Sequence, residues 1–358
     1  VVTIASTGAY LPGAPLTNDD MAGLCGTLPP EVLEGLQVRR RHWAIDPVSG
    51  RHLVSNGEMA EAAARQALER AGIEPGEVEL LVMSTSSPEY HLPAQVTFVQ
   101  ARLGLRRCAV VEVRSGCAGA VQALDIAWRM VESGRYANAV VIGSEIISPL
   151  LFPYLRAGDP EAVRLRDRIS FYNFGDGAGA VVLTPGAGPD RLHGSVNACI
   201  GGDRQPGMHI IGGGTHAPIA EQLAARQMVR LNLDVVQSEK FGPTVFVEAL
   251  DALLRASGLS IDEITGCVLP EGNAPYFTAE LESAGMSAEA WKTVQSKIME
   301  NLSDVGATGS AAVPIALDDA WQHERIRPGD KVLLLGIETS RWIYAGMALT
   351  WTAEKSPR

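Results

Sequence analysis

A chain of 358 residues that is 46% hydrophobic and 20% charged has the length of one large domain or two ordinary ones, and enough apolar residues for a large core. Its formal net charge of −11 argues against nucleic acid as the main partner, and no stretch approaches the ~18 uninterrupted apolar residues of a membrane helix. Five cysteines (25, 108, 117, 199, 267) are odd in number and lack C-x-x-C spacing, which argues against a disulfide framework or zinc site and for a reducing cytoplasm. The seven histidines have no metal-ligand spacing, so no metal is expected.

The opening VVTIASTGAYLPG is strand-like and lacks a basic n-region, so no signal peptide is expected. Helical and strand patterns then alternate, as in an α/β protein with helix-covered sheets. Within VVEVRSGCAGAVQALDIAW (110–128), Val110 to Val113 read as a buried strand, while Ala120, Leu124, Ala127 and Trp128 fall at helical spacing. Cys117 stands at the junction, on the positive end of the helix dipole and beside unpaired backbone N–H groups, both of which favour thiolate. Gly116, Ala118 and Gly119 keep the approach open. On this pattern alone a nucleophile and a buried structural cysteine are equally good readings. Further on, FGDGAGAVVLTPGAGPD (174–190) is a glycine-rich turn, a strand and a Pro/Gly linker. IGGGTHAP (211–218) lacks the Lys-Ser/Thr of a phosphate loop and reads as a flexible loop flanked by His209 and His216, which are either substitute bases or ordinary exposed histidines.

Two sets of segments match each other. ALERAGIEPGEVELLVM (67–83) resembles LLRASGLSIDEITGCVL (253–269), 186 positions on. ALDIAW (123–128) and VVIGSE (140–145) resemble ALDDAW (316–321) and LLLGIE (333–338), each 193 positions on. The shared order implies an internal duplication, with halves at 1–185 and 186–358. In such a fold the Cys117 turn, the loop PEGNAPYF (270–277) and DVGATGSAAVPIAL (304–317) converge between the halves.

The ordered series ASTGAYLPG, LQVRRRHWA, SGCAGAVQAL, FGDGAGAVVL, GATGSAAVPIAL and PGDKVLLLGIE resembles the thiolase superfamily, specifically the ketoacyl-ACP synthase III type, over nearly the whole chain. The resemblance implies a five-layered αβαβα fold of two duplicated halves, normally a homodimer. It implies no permanently bound cofactor: an acyl group arrives on coenzyme A or on the phosphopantetheine of an acyl carrier protein, and Cys117 takes it. The backbone N–H groups of Cys117 and Thr339 would hold the acyl oxyanion, Thr339 lying in GIETS (336–340) where the family has G-F-G-G-G.

The chain also departs from the family pattern. Glu271, in LPEGNAP, stands at the position of the family's condensing His, and Ala307, in GATGS, at that of its Asn. Both family residues donate hydrogen bonds to a malonyl thioester oxygen as decarboxylation generates an enolate. Loss of one oxyanion donor typically lowers a rate ~10²–10³-fold. Loss of two, with a carboxylate added, disfavours decarboxylative condensation. The expectation is therefore an acyltransferase in which Glu271 acts as base while a small-molecule hydroxyl or amine attacks acyl-Cys117, a chemistry suited to antibiotic or other specialised metabolism. Asn273 would replace part of the lost hydrogen bonding, and Glu89, in STSSPEYHLPA (84–94), is a second-choice base acting across a dimer. The alternatives are a carbon–carbon-forming synthase with an unusual base and a non-catalytic partner subunit. Glu31 and Gly35 stand where coenzyme A users hold adenine, and neither stacks on it. Arg39, Arg40 and Arg41 suit a phosphopantetheine phosphate or an acidic carrier helix, so a carrier-protein donor is expected over coenzyme A.

Overall fold

The computed structural model describes residues 1–155, 163–189, 191–225, 229–270 and 278–355. Two five-stranded sheets carry the fold. The first holds β1 (Val2–Tyr10), β2 (Leu80–Ser84), β3 (Ala109–Val113), β4 (Ala139–Glu145) and β5 (Gly177–Pro185), in the order β1-β5-β4-β2-β3. The second holds β6 (Leu192–Cys199), β7 (Gly266–Val268), β8 (Ile298–Met299), β9 (Lys331–Glu338) and β10 (Ile343–Thr350), in the order β6-β10-β9-β7-β8. Strand for strand the orders are the same. So are the directions, two antiparallel joints followed by two parallel ones.

Helices cover both sheets and fill the space between them: α1 (Asn56–Ala71), α2 (Gln95–Arg102), α3 (Gly119–Glu132), α4 (Val235–Ser257), α5 (Ala288–Gln295) and α6 (Ala312–Gln322). Period-two alternation assigns the layers. Leu80 and Val82 of β2 face inward with Trp128 of α3 and Trp321 of α6, as do Val332 and Leu334 of β9. Leu81 and Met83 face outward against α1 and α2, and Leu333 and Leu335 face outward against α4 and α5. Strands buried on both faces account for apolar runs such as LLVM and VLLL. The result is the five-layered αβαβα arrangement of two equivalent halves.

The internal match extends to backbone detail. Gly72 closes α1 at φ 66° and Gly258 closes α4 at φ 68°, both in the left-handed conformation that glycine, lacking a Cβ, adopts at little cost. Each is followed by a 3₁₀ turn, Pro75–Glu77 and Ile261–Glu263, and then by β2 or β7. Among the described residues no helix is long and apolar enough to cross a membrane.

Candidate active site

β3 ends at Val113 and α3 begins at Gly119, so Cys117 occupies the turn between strand and helix. The turn closes with a hydrogen bond from Gly119 N to Gly116 O (2.8 Å). It admits little bulk: a Cβ on Gly119 would lie 2.0 Å from Ser84 Oγ, and one on Gly336 of β9 would lie 2.7 Å from Cys117 O. The second half is thus packed directly against the cysteine.

Cys117 is partly accessible and opens on a cavity of about 230 Å³. Phe174, Met208, Phe246, Trp291 and Ile337 make much of its wall apolar, and Gln37, Asn173, Ser238, Glu239 and Thr339 add polar groups. The other four cysteines are elsewhere. Burial pushes the Cys25 and Cys267 thiols up to about 12, and that of Cys108 up as well, which keeps them protonated and inert. Cys199 is exposed and its thiol donates to Arg341 O (3.2 Å). Of the five cysteines, Cys117 alone lines the cavity.

Glu338, at the end of β9, reaches across the halves into this turn. Its Oε2 accepts hydrogen bonds from Ser115 Oγ (2.7 Å), Gly116 N (2.9 Å) and Ala118 N (3.4 Å), and its Oε1 accepts from Ser340 Oγ. A carboxylate so placed binds backbone donors on both sides of Cys117 and offsets the helix dipole. The structure contains the mirror arrangement. Glu145, at the end of β4, stands 193 positions before Glu338, and accepts from Ser310 N (3.3 Å), Ser86 N (3.0 Å) and Thr85 Oγ1 (3.3 Å). Burial pushes the Glu145 carboxyl above its usual range, against the lowering effect of these hydrogen bonds. Ser310 is the internal counterpart of Cys117 and is fully buried. It donates to Ser115 O (2.7 Å) and Gly116 O (3.0 Å), so the second-half turn clamps the first.

Two family models match the chain: 3-oxoacyl-[acyl-carrier-protein] synthase III over residues 111–199, and the C-terminal region of the same synthase over 254–351. A β-ketoacyl-[acyl-carrier-protein] synthase III of Rhodospirillum centenum is 32% identical over 334 residues, 92% of this chain and 93% of that protein. The chain belongs to the ketoacyl synthase III family. A second relative of that description, from Rhizorhabdus wittichii, is 30% identical over 331 residues, again 92% and 93% of the two chains. The solved structure of AbyA1, a tetronic acid condensing enzyme, superposes with TM-score 0.81 at 27% identity, covering 98% of this chain and 100% of that one.

The remaining predicted residues of this ketoacyl synthase III member divide by position. Thr339 lines the Cys117 cavity, and it is not among the described non-glycine residues with positive φ, which are Gln37, Glu324 and Trp342. The glycine of the family turn is therefore not needed for the backbone at 339. Ala307 lies buried, its N–H donating to Asn173 O (2.8 Å) and its carbonyl accepting from Gly175 N (3.0 Å). Glu271 and Asn273 lie outside the described residues.

Several expectations need correction. Arg41 does not face a donor: it is fully buried, with Nη1 donating to Leu16 O (2.9 Å) and Nη2 to Tyr172 O (2.7 Å) and Asn18 Oδ1 (2.6 Å). Burial lowers its pKa to about 10. Arg39 and Arg40 do stay exposed, sharing Asp304 at 3.4 and 3.0 Å. His209 sits on the strand Met208–Ile211, where alternation sends Met208 into the cavity and His209 to solvent. His216 is an exposed turn residue, so within the described chain neither histidine is placed as a base. Glu89, expected to act across a dimer, is engaged at the start of α1, its Oε1 accepting from Gly57 N (2.7 Å) and Gln95 Nε2 (3.1 Å). Asp176, from the FGDGAG motif, is a buried tether: it accepts from Ala44 N (2.7 Å) and from Ile147 N (2.6 Å) and Ser148 N (3.0 Å).

Sequence reasoning missed the Glu338 cap and Ser310, although the 193-position match of Glu145 with Glu338, and of Ser310 with Cys117, carried a signal for both.

Proposed function

We propose that this protein is an acyl-thioester-dependent transferase in which Cys117 accepts an acyl group and passes it to a carbon nucleophile, a condensation of the kind named for its relatives. The carrying observation is the position of Cys117, at a tight strand–helix turn on the floor of a largely apolar cavity. Sulfur attack on a thioester exchanges one C–S bond for another at little net cost, and apolar walls exclude water from the acyl-enzyme. The family membership and the AbyA1 likeness both support condensation, the latter also supporting a place in specialised metabolism.

A second reading, acyl transfer to a hydroxyl or amine with Glu271 as base, is favoured by Ala307, which presents only a methyl group where the family pattern has a carboxamide. Arg39 and Arg40 support an acyl carrier protein or coenzyme A as donor, because they stay exposed only a few residues from the cavity-lining Leu36 and Gln37. A homodimer is supported by the open edge of β3 and by the exposed apolar side chains Tyr90, Leu92 and Val110.

The test is a panel of acyl-coenzyme A and acyl-carrier thioesters supplied with malonyl thioesters or with hydroxyl and amine acceptors. Carbon–carbon product with carbon dioxide release supports condensation. Ester or amide product without it supports the second reading. No acyl adduct on Cys117 from any donor sinks both.

A further inference from the structure

We propose that Glu338 makes Cys117 selective for uncharged acyl groups: its carboxylate, held at the Cys117 turn, repels acyl thioesters whose chain carries a carboxylate of its own, such as malonyl or succinyl. The inference deepens the acyl-Cys117 reading above and rests on it.

Glu338 stands at the third position of GIETS, where the family turn has glycine, so this carboxylate is a feature of the chain itself. Packing fixes where its charge lies. The side chain is buried, and Oε2 accepts from Gly116 N (2.9 Å) and Ala118 N (3.4 Å), on either side of Cys117. Ala118 N is bonded to the carbonyl carbon of Cys117, so ordinary bond lengths keep Oε2 within about 9 Å of the sulfur in any rotamer. A Cβ on Gly116 would lie 3.4 Å from Glu338 Cδ, which puts the carboxylate in contact with the turn.

The charge has neutral neighbours. Its donors among the described residues are the hydroxyls of Ser115 and Ser340 and the two backbone N–H groups. Backbone N–H groups only donate, an arrangement that suits the ionised carboxylate. The described lining of the cavity contains no Lys, Arg or His, and its one charged side chain, Glu239, is also negative. An anionic acyl chain therefore meets the repulsion of Glu338 with no cation in that lining to offset it. Two like charges about 10 Å apart in a protein site differ from a charge and a neutral group by about tenfold in rate. The mirror carboxylate, Glu145, caps the turn that buries Ser310.

Loading brings the charges together and keeps them there. The Cys117 sulfur bonds to the acyl carbon, the bond from that carbon to the donor sulfur breaks, and the thiol proton leaves on the donor thiol. The acyl chain is then tethered to Cys117, and a malonyl carboxylate lies only two carbons along it. An anionic thioester is thus kept off the sulfur and left to serve as a second reactant.

The test compares donors of nearly equal shape, malonyl- with butyryl-coenzyme A and succinyl- with pentanoyl-coenzyme A, in single-turnover acylation of Cys117 followed by intact-protein mass. The readout is the ratio of rates, uncharged over anionic, because a change in the thiol itself acts on both donors alike. Wild type should favour the uncharged donors more than about tenfold, and Glu338→Gln should cut that preference about tenfold. Glu338→Gly, which restores the family residue, should do the same and decides the matter if the Gln variant does not fold. Glu239→Gln should shift the ratio less, since water and salt screen that exposed charge. A wild type without the preference, a folded Glu338 variant that keeps it, or a larger shift from Glu239→Gln overturns the inference alone. A wild type that forms no adduct with any donor overturns the acyl-Cys117 reading and this inference with it.

Discussion

The turns before α3 and before α6 are the same element twice, and they have opposite tasks. The first presents Cys117 to a cavity, whereas the second buries Ser310 and uses its hydroxyl to hold the carbonyls of Ser115 and Gly116. Each turn is capped by a carboxylate from the strand end of the other half, Glu338 on the first and Glu145 on the second. Duplication thus yielded one turn open to a cavity and one scaffold for it. The difference rests on access, since a thiol sealed by packing has its thiolate disfavoured by burial.

The largest expected effect breaks the comparison at its reactive member. Cys117→Ala should lower acyl transfer by more than about 10³-fold, whereas Ser310→Cys should create no second nucleophile, because position 310 is sealed. Alkylation with iodoacetamide and peptide mapping checks both. Modification of the Ser310→Cys variant at position 310, in the folded protein and at a rate near that of Cys117, would refute the division of labour.

A middle-sized effect concerns the clamp. Ser310→Ala leaves the carbonyls of Ser115 and Gly116 without this donor and should destabilise the fold by about 1–3 kcal/mol. Chemical denaturation measures the loss, and the acylation rate should fall with it as the Cys117 turn loosens. An unchanged midpoint would show that the clamp is idle.

The smallest effect sharpens the contrast between the two carboxylates. Glu338→Gln removes a negative charge beside Cys117. A nearby negative charge disfavours thiolate, so the thiolate fraction should rise and alkylation near pH 7 should quicken by about 3–10-fold. Glu145→Gln should act on stability instead. Burial raises the folded-state pKa of Glu145 above 4.5, so between that value and the raised one the folded state holds the extra proton. Stability then falls as pH rises through this window, and the variant should flatten that slope in melts taken across it. A Glu338 variant with an unaltered alkylation profile would count against electrostatic control of the thiol.

Much of the molecule was legible from local pattern. The helix–strand units at offsets of 186 and 193 positions reappear as two sheets with one strand order, because apolar periodicity and turn glycines are written within short segments. The strand–turn–helix around Cys117 was legible for the same reason, whereas its expected role came from the family resemblance. Arg39 to Arg41 were not: three identical side chains in a row give no hint that the third turns inward to the carbonyls of Leu16 and Tyr172. Between base and ordinary exposed histidine, His209 stayed open in the sequence, because its facing follows from pairing between Met208–Ile211 and Arg230–Leu233, some twenty residues apart in the chain.

By itself the sequence determined the duplicated α/β plan and the strand–turn–helix around Cys117, both properties of residue type and near spacing. Only the tertiary structure decided what surrounds the sulfur. Glu338 meets Gly116 across 222 positions of chain and Ser310 meets Ser115 across 195. Such contacts exist because the sheets enclose a shared pair of helices, and burial then requires each polar group brought inside to find a partner, whatever its distance along the chain.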